Sequence, residues 1–346
     1  MSKVQRIIDS NINRISEGLR VLEDISRFIL ELPDTTANIR NIRHEIRTIF
    51  SDKDLEFLKA RDSVNDIGKN ISQEDLPEGK KPLQELITSN FKRVQEGLRS
   101  IEESVKNTDQ YTKSKQIENL RFRTYNLEKS MTPELVRPKL PAGIYGLTAE
   151  KYSKGRNNIQ VVKKMIRGGV NIVQYREKHN SKSFKEMYQE CKKIRKITRK
   201  NNVLFLINDY IQLAEIVDAD GVHIGQDDLP YQEVRKTLSF EKIIGISTHK
   251  PEQARKAVEQ GADYIGVGPI FPTDTKENVC ESVGLDYLDW VEENIEIPYV
   301  TIGGIKEHNI ERVKQHGAQT FALVTEIVGA EDITAQVERL VRKINN

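Results

Sequence analysis

The stretch Ile243–Lys276, IIGISTHKPEQARKAVEQGADYIGVGPIFPTDTK, decides how the second half of this chain folds. It opens with a short β-branched run, IIGIST. It continues as PEQARKAVEQG, a charged segment that can form a helix and stops at a glycine. It then returns to a second apolar run, YIGVGPI, which ends in a polar, proline-bearing loop. Short apolar runs bounded by turn residues read as buried strands, and their alternation with helical segments reads as a parallel βαβ unit.

The same grammar extends both ways. Upstream lie IYGLT, NIVQYRE, VLFLIND and DGVHIG; downstream lie PYVTIGG and TFALVTEI. Each run precedes a segment able to form a helix, such as NIQVVKKMIRGG. Eight strand–helix units fall between residues 142 and 346. Right-handed repetition at that count closes into a (β/α)8 TIM barrel. The alternative is a doubly wound open sheet, which usually carries fewer strands and a GxGxxG after the first. IYGLTAEKYSKG does not match that fingerprint.

Residues 1–131 read differently. In VQRIIDSNINRISEGLRVLEDISRFIL the apolar positions Val4, Ile7, Ile8, Ile12, Ile15, Leu19, Leu22 and Ile25 recur at helical spacing. PDTTANIRNIRHEIRTIF, opening on Pro-Asp-Thr-Thr capping chemistry, is a second helix. KKPLQELITSNFKRVQEGLRSIEESVK and TKSKQIENLRFRTYNLEKSM are a third and a fourth. RISEGLRVLEDI (14–25) and RVQEGLRSIEES (93–104) share Arg, Glu-Gly-Leu-Arg and a following Glu at the same offsets, and Ser-Asn precedes both copies. NIR in IRNIRHEI answers NLR in IENLRFRT. A duplicated helix pair is expected, an all-α bundle placed ahead of the α/β barrel. KARDSVNDIGKNISQEDLPEGKK between the pairs reads as a loop. Residues 132–141, with three prolines in TPELVRPKLPAG, read as a linker.

Composition narrows the function. The chain has 346 residues, with Lys+Arg 54 against Asp+Glu 52. That balance gives no global basic field, so nucleic acid is not an expected partner. Cys191 and Cys280 form no CxxC and match no zinc spacing, as for reduced thiols in a cytosolic protein. No secretory signal opens the chain, and no run approaches the ~18 apolar residues of a membrane span. A cytoplasmic protein without membrane contact is expected.

In such barrels the active site lies at the C-terminal ends of the strands. Those ends read QYREK, ND, IGQDD, STH, GPIFPTDTK, TIGGI and VTEI, so nearly every unusual polar piece falls on one face. Asp209 ends the third strand and Asp228 follows the fourth. Neighbouring strands lie about 4.8 Å apart, so the two carboxylates can share a cation. Oxygen donors alone suit Mg2+, not zinc. The bland alternative for Asp209 is a helix N-cap, and Asp227 reads as a cap. His223, inside its strand, reads as a packed structural histidine. Arg176, Lys178 and Lys276 point to the same mouth, which implies a substrate with several phosphate charges, most simply a diphosphate. Thr273 and Thr275 can donate to a second anion. Gly303-Gly304 and Val324-Thr325 occupy the usual barrel phosphate site, with a tight turn as the alternative for the glycines. No Ser or Cys nucleophile has a paired base. Departure of a metal-bound diphosphate fits better than acyl transfer.

QYREK, ND with DGVHIGQDDLP, GISTH, DYIGVGPIFPTDTK, TIGGI and VTEI resemble thiamine-phosphate synthases in order and spacing. The resemblance covers residues 142–346. It implies a transferase joining 4-amino-2-methyl-5-hydroxymethylpyrimidine diphosphate to 4-methyl-5-(2-phosphoethyl)thiazole, giving thiamine phosphate and diphosphate. It implies that Gln174, Arg176, Lys178, Asn208, Ser247 and Lys276 bind the pyrimidine diphosphate, with Arg176, Lys178, Ser247 and Lys276 acting on the departing group. Asp209 and Asp228 would hold Mg2+. Thr273, Thr275, Gly304, Val324 and Thr325 would meet the thiazole phosphate, and Tyr175, Glu177 and Asp274 lie inside the matching motifs. Glu326 departs from the family, which often has a smaller residue there. A related barrel that binds thiazole phosphate without coupling it is the alternative, but it is expected to lack the aspartate pair or the QYREK cations.

The helical half, through EGLRVLED and RDSVNDIG, resembles a domain sometimes fused ahead of these synthases and proposed to act as a pyrimidine-phosphate kinase. That implies ATP as a further ligand and Asn11, Arg14, Glu17, Arg61, Asp62 and Asp66 as candidate site residues. No GxxxxGK[ST] is present. Gly18 and Gly97, each costing about 1 kcal/mol against Ala in a helix interior, read either as close helix crossings or as room for a ligand. A binding or oligomerisation module, with the chain as a homo-oligomer, explains the helices as well.

Overall fold

A computed structural model of the chain describes residues 2–60, 83–106, 110–177, 182–273, 275 and 281–345. They form two compact units, Met1–Val136 and Arg137–Asn346.

The first unit consists of helices α1 (Ser2–Phe28), α2 (Pro33–Ile49), α3 (Asp54–Ala60), α4 (Leu83–Lys106) and α5 (Tyr111–Val136). The short α3 adds to the four helices expected. α1 and α4 carry the repeat, and their equivalent residues do equivalent work. Ile15, Leu19 and Leu22 of α1 are fully buried, as are Val94, Leu98 and Ile101 of α4. The side-chain amides of Asn11 and Asn90 donate to the carbonyls one turn back, Ile7 O at 2.8 Å and Leu86 O at 2.7 Å. The glycines face each other's repeats reciprocally, as at a two-fold interface. A Cβ on Gly18 would lie 2.8 Å from Val94 Cγ2, and one on Gly97 would lie 2.7 Å from Ile15 Cγ1. The space in front of each glycine is therefore filled by the other helix. Burying Leu and Ile at roughly 1.5–3 kcal/mol each outweighs the glycine cost.

The last shared residue of the motif is also explained. Glu23 is buried and receives Arg40 and Arg43 of α2, both at 2.8 Å. Its counterpart Glu102 receives Lys106 at 2.9 Å and Arg121 of α5 at 3.0 Å. Arg43 and Arg121 are the arginines of NIR and NLR, so each repeat ties its two helices with one buried carboxylate. Burial pushes the Glu23 carboxyl up, but the hydrogen bonds from Arg40 and Arg43 outweigh it and hold it below the ordinary range. Glu102 is likewise pushed up by burial and pulled below the range by Lys106 and Arg121.

Two expectations are corrected here. No side chain caps α2: its N-cap is Leu32, with Pro33 in the first turn, where a missing N–H costs nothing. And α5 runs through Pro133 to Val136, five residues into the stretch read as a linker. Buried Met131 and Leu135, packed on the helical core, hold the helix across the proline.

The second unit is a closed barrel of eight parallel strands in sequence order. They are β1 (Gly143–Leu147), β2 (Ile172–Tyr175), β3 (Leu204–Asn208), β4 (Gly221–Ile224), β5 (Ile243–Thr248), β6 (Tyr264–Val267), β7 (Tyr299–Ile302) and β8 (Thr320–Leu323). Pairing of β1 with β8, Gly143 opposite Thr320, closes the ring. Successive residues alternate between two cores. Val173, Phe205, Val222, Ile244, Ile265 and Phe321 face the helix layer. Tyr145, Leu147, Ile172, Leu206, Ile243, Tyr264 and Val300 fill the interior. Both faces are buried, which is why the strands read as continuous apolar runs. One correction concerns TFALVTEI: β8 stops at Leu323, and Thr325–Val328 is a helical turn.

At the N-terminal end, the residues ahead of β2, β4 and β6 repeat one device. The side chains of Asn171, Asp220 and Asp263 accept the backbone N–H of Ile144, Phe205 and Ile244 at 3.1, 2.8 and 2.7 Å. Arg195 grips Asp220 with two bonds, at 2.8 and 2.7 Å. These polar side chains tie neighbouring strands together and leave the opposite face for chemistry.

A carboxyl whose value is lowered on folding contributes stability that is complete above its unfolded value, ordinarily 4.5, and is lost as pH falls through the folded value. Helical circular dichroism of the chain should therefore fall as pH drops below about 4. Glu23→Gln combined with Glu102→Gln should flatten that acid limb. An unchanged limb would mean the two pairs do not bear on stability.

Candidate active site

A cavity of about 1270 Å³ opens at the C-terminal ends of the barrel strands. Its wall collects inward-facing residues from each strand in turn. Gln174 comes from β2 and Arg176 from just after it, Asn208 and Asp209 from the end of β3, His223 and Asp228 from β4 and its loop, and Ser247 from β5. Thr273 and Thr275 follow β6, Gly304 follows β7, and Val324 and Thr325 follow β8. All were expected there except His223. Lys178, Asp274 and Lys276, together with Arg61, Asp62 and Asp66 of the first unit, lie outside the described residues.

Tyr175 does not belong to this wall. Strand alternation turns it outward, where it is fully buried under the helix layer and its hydroxyl donates to Glu190 at 2.8 Å. Glu177 does line the cavity, but its carboxylate is engaged by the Glu150 N–H at 3.0 Å and the Asn158 amide at 2.8 Å. It braces the loops after β1 and β2. In the first unit, Asn11 is buried with its amide on Ile7 O and on Ser100 Oγ at 3.2 Å, whereas Arg14 and Glu17 are exposed on α1.

The carboxylates stand side by side in topology. Asn208 pairs with His223 in the β3–β4 ladder, and the ladder continues one residue beyond, where the Asp209 N–H donates to His223 O at 3.0 Å. Asp209 has φ +62°, a left-handed conformation that Asp tolerates better than most residues. Neither carboxylate caps a helix: the next helices, Ile211–Ile216 and Tyr231–Thr237, have Tyr210 and Pro230 at their N-caps, with no side-chain cap bond. Asp227, read as a cap, lines the cavity instead. Asp228 is held by its own loop, accepting the Gly225 N–H at 2.6 Å.

Behind these groups runs a buried hydrogen-bond chain. Gln174 Nε2 donates to the Tyr145 hydroxyl at 2.6 Å, and Tyr145 and Tyr264 hydroxyls meet at 3.3 Å. Tyr264 meets His223 Nδ1 at 2.9 Å, and His223 Nε2 meets Ser247 Oγ at 2.9 Å. Burial pushes both phenols far up, so they keep their protons. Each hydroxyl has one proton to give. One order consistent with Gln174 donating sends the Tyr145 proton to Tyr264 and the Tyr264 proton to Nδ1. In that order the His223 Nε2–H donates to Ser247. That same order would leave the Ser247 proton for the cavity. Gly245 makes the chain possible: a Cβ there would lie 2.0 Å from Tyr264 Cζ. His223 is thus half-buried against the cavity and not merely packed. The missed signal was its parity, because it shares the inward face with Asn208.

The β7–β8 side is built from close backbone approach. Gly303 and Gly304 have φ +97° and +63°. A Cβ on either would lie 2.3 Å from Pro269 Cβ or 2.7 Å from Phe271 Cβ. They form a tight turn and also line the cavity. Lys306, three residues on, lines the cavity as well and was not anticipated.

Among the described residues no helix is long and apolar enough to cross a membrane. Residues 144–327 match the family model described as thiamine monophosphate synthase, and residues 6–130 match that of the ThiD2 family. A thiamine-phosphate synthase of Pelotomaculum thermopropionicum is 57% identical over 201 residues, 58% of this chain and 91% of that protein. A thiamine-phosphate synthase of Synechocystis is 35% identical over 345 residues, 99% of this chain and 96% of that protein. The solved thiamine phosphate pyrophosphorylase of Pyrococcus furiosus superposes with a TM-score of 0.54 at 32% identity, covering 59% of this chain and 96% of that one.

Removing one hydroxyl from the buried chain strands its neighbours, at about 1–3 kcal/mol. Tyr264→Phe and Tyr145→Phe should each lower denaturant stability by that order. The double variant should lose clearly less than the sum, because the two hydroxyls act through one chain. Additive losses would contradict the linkage.

Proposed function

The chain belongs to the thiamine monophosphate synthase family, and on that premise we propose how its barrel works. It is a transferase that joins the pyrimidine diphosphate to the thiazole phosphate, giving thiamine phosphate and diphosphate. The bond between the pyrimidine methylene and the diphosphate oxygen breaks, and its electron pair leaves with the diphosphate. The thiazole nitrogen gives its lone pair to the methylene carbon. The new C–N bond makes a thiazolium, so no proton has to be removed.

The observation that carries the assignment of residues is the convergence on one cavity of Arg176, the Asp209–Asp228 pair and Ser247. Arg176 meets the diphosphate with a charged hydrogen-bonding fork. Ser247, its oxygen engaged by His223, donates a hydrogen bond to the departing diphosphate and keeps its proton. Gln174 and Asn208 orient the pyrimidine. Thr273, Thr275, Gly304, Val324 and Thr325 receive the thiazole phosphate. Lys178 and Lys276 complete the cation set by sequence motif.

Mg2+ fits the donors present. It typically takes one or two carboxylates and leaves its other positions to water and substrate phosphate. Among the described residues no cluster of three Asp, Glu, His or Cys could hold a metal, so a site on Asp209 and Asp228 calls for substrate oxygens to complete it. When bound, the ion supplies positive charge beside the departing diphosphate. We place the activity in the cytoplasm.

A second reading concerns the first unit. The match of residues 6–130 to the ThiD2 family supports an ATP-dependent kinase that makes the pyrimidine diphosphate from the monophosphate.

Purified chain given pyrimidine diphosphate, thiazole phosphate and Mg2+ should form thiamine phosphate; no product would overturn the barrel assignment. Product from the monophosphate and ATP would support the kinase, and its absence would leave the first unit without that activity. Ser247→Ala should lower kcat about 10²-fold, the usual loss of one donor aimed at developing charge. His223→Ala should approach that loss, and the double variant should be no worse than Ser247→Ala. Multiplying losses would show that His223 acts independently of Ser247.

A further inference from the structure

We infer that Lys306 is the cation that binds the phosphate of the thiazole substrate, and that Glu326 aims it; this rests on the proposed placement of that phosphate at β7 and β8. Lys306 lines the cavity beside Gly304 and Thr325. Its ammonium donates to Thr325 Oγ1 at 3.1 Å and stands 3.3 Å from Glu326 Oε2. Among the described residues lining the cavity, the only Lys or Arg side chains are Arg176 on the β2 side and Lys306 on the β7 side. Among the described residues, the β2 side and the β7 side of the cavity thus each present one permanent positive charge.

The side chain is fixed at both ends. The Lys306 N–H donates to Asn309 Oδ1 at 2.7 Å, and Asn309 Nδ2 donates to Gly304 O at 3.1 Å. At the far end Glu326 is itself held: its Oε1 accepts the Glu307 N–H and Gln336 Nε2, both at 3.1 Å. Gln336 is buried and also donates to Glu307 Oε2 at 3.0 Å. A free lysine loses much rotamer freedom when it grips an anion, and one already held loses less. This also accounts for Glu326, where the family often has a smaller residue. A carboxylate beside a phosphate site would repel the ligand, unless it spends its charge on an ammonium standing between them.

Backbone N–H groups near Gly304 and Thr325 recognise phosphate geometry but bring no net charge. The same cavity holds Asp209, Asp227 and Asp228. A phosphate monoester entering it needs a compensating cation, whereas the unphosphorylated thiazole alcohol does not. Lys306 is therefore a specificity-determining residue for the phosphorylated thiazole.

Titration calorimetry with thiazole phosphate and with thiazole alcohol, on the full chain, tests this without turnover. Lys306→Gln should weaken thiazole phosphate binding about 10- to 100-fold, as for loss of a charged hydrogen bond. It should leave alcohol binding and the melting temperature unchanged, and Lys306→Arg should recover part of the loss. In steady state the same variant should raise KM for thiazole phosphate and leave KM for the pyrimidine diphosphate alone. Equal losses for phosphate and alcohol, no loss at all, or a wild-type chain that binds neither would overturn the inference. Phosphate binding that depends on Lys306 in a chain that makes no thiamine phosphate would sink the coupling assignment and leave this one standing.

Discussion

A barrel of eight short strands has room inside for side chains and little else, and here the ring of Tyr264 lies among those that fill it. The ring can lie across the interior because β5 has glycine opposite it. Its hydroxyl, buried among aliphatic side chains, cannot go unpaired without a penalty. Tyr145 on one side and His223 on the other satisfy it, and these draw in Gln174 and Ser247. One packing decision thereby links five strands and ends at a serine in the cavity. The floor of the site is polar, rigid and directional before any substrate arrives.

The helical unit solves a different problem by similar means. Its duplicated motif sets two helices against each other so closely that each must offer glycine to the other. The buried glutamate at the end of each motif then fastens the neighbouring helix through arginine. The reciprocity explains why the chain writes the motif twice. A close crossing between equivalent helices needs the same small residue on both. In the barrel a glycine admits a ring, and in the bundle a glycine admits a β-branched side chain of the facing helix.

Much of this was legible in sequence. The eight strands declared themselves because a parallel barrel buries both faces, so each strand is an apolar run ended by polar or glycine residues. The cavity wall was legible for the same reason, since those endings share one face. What escaped was whatever depends on direction. Tyr175 sits inside a polar motif, yet strand alternation sends it to the outer core. His223 sits inside an apolar run, yet the same alternation sends it inward. Pro133 looked like a break, but buried Met131 and the packing of Leu135 keep the helix intact. Lys306 carries no motif of its own: its role depends on reaching from β7 to a carboxylate after β8, a contact between residues far apart in sequence.

The central claim is that the buried chain leaves the Ser247 proton facing the cavity, and the tautomer of His223 reports on it directly. Nitrogen-15 NMR of histidine-labelled chain near neutral pH can read both ring nitrogens. The account predicts a neutral His223 with Nε2 protonated and Nδ1 accepting from Tyr264, a pattern that Tyr264→Phe should disturb. A proton on Nδ1 would reverse the order of donors, aim the serine proton at the histidine, and contradict the account.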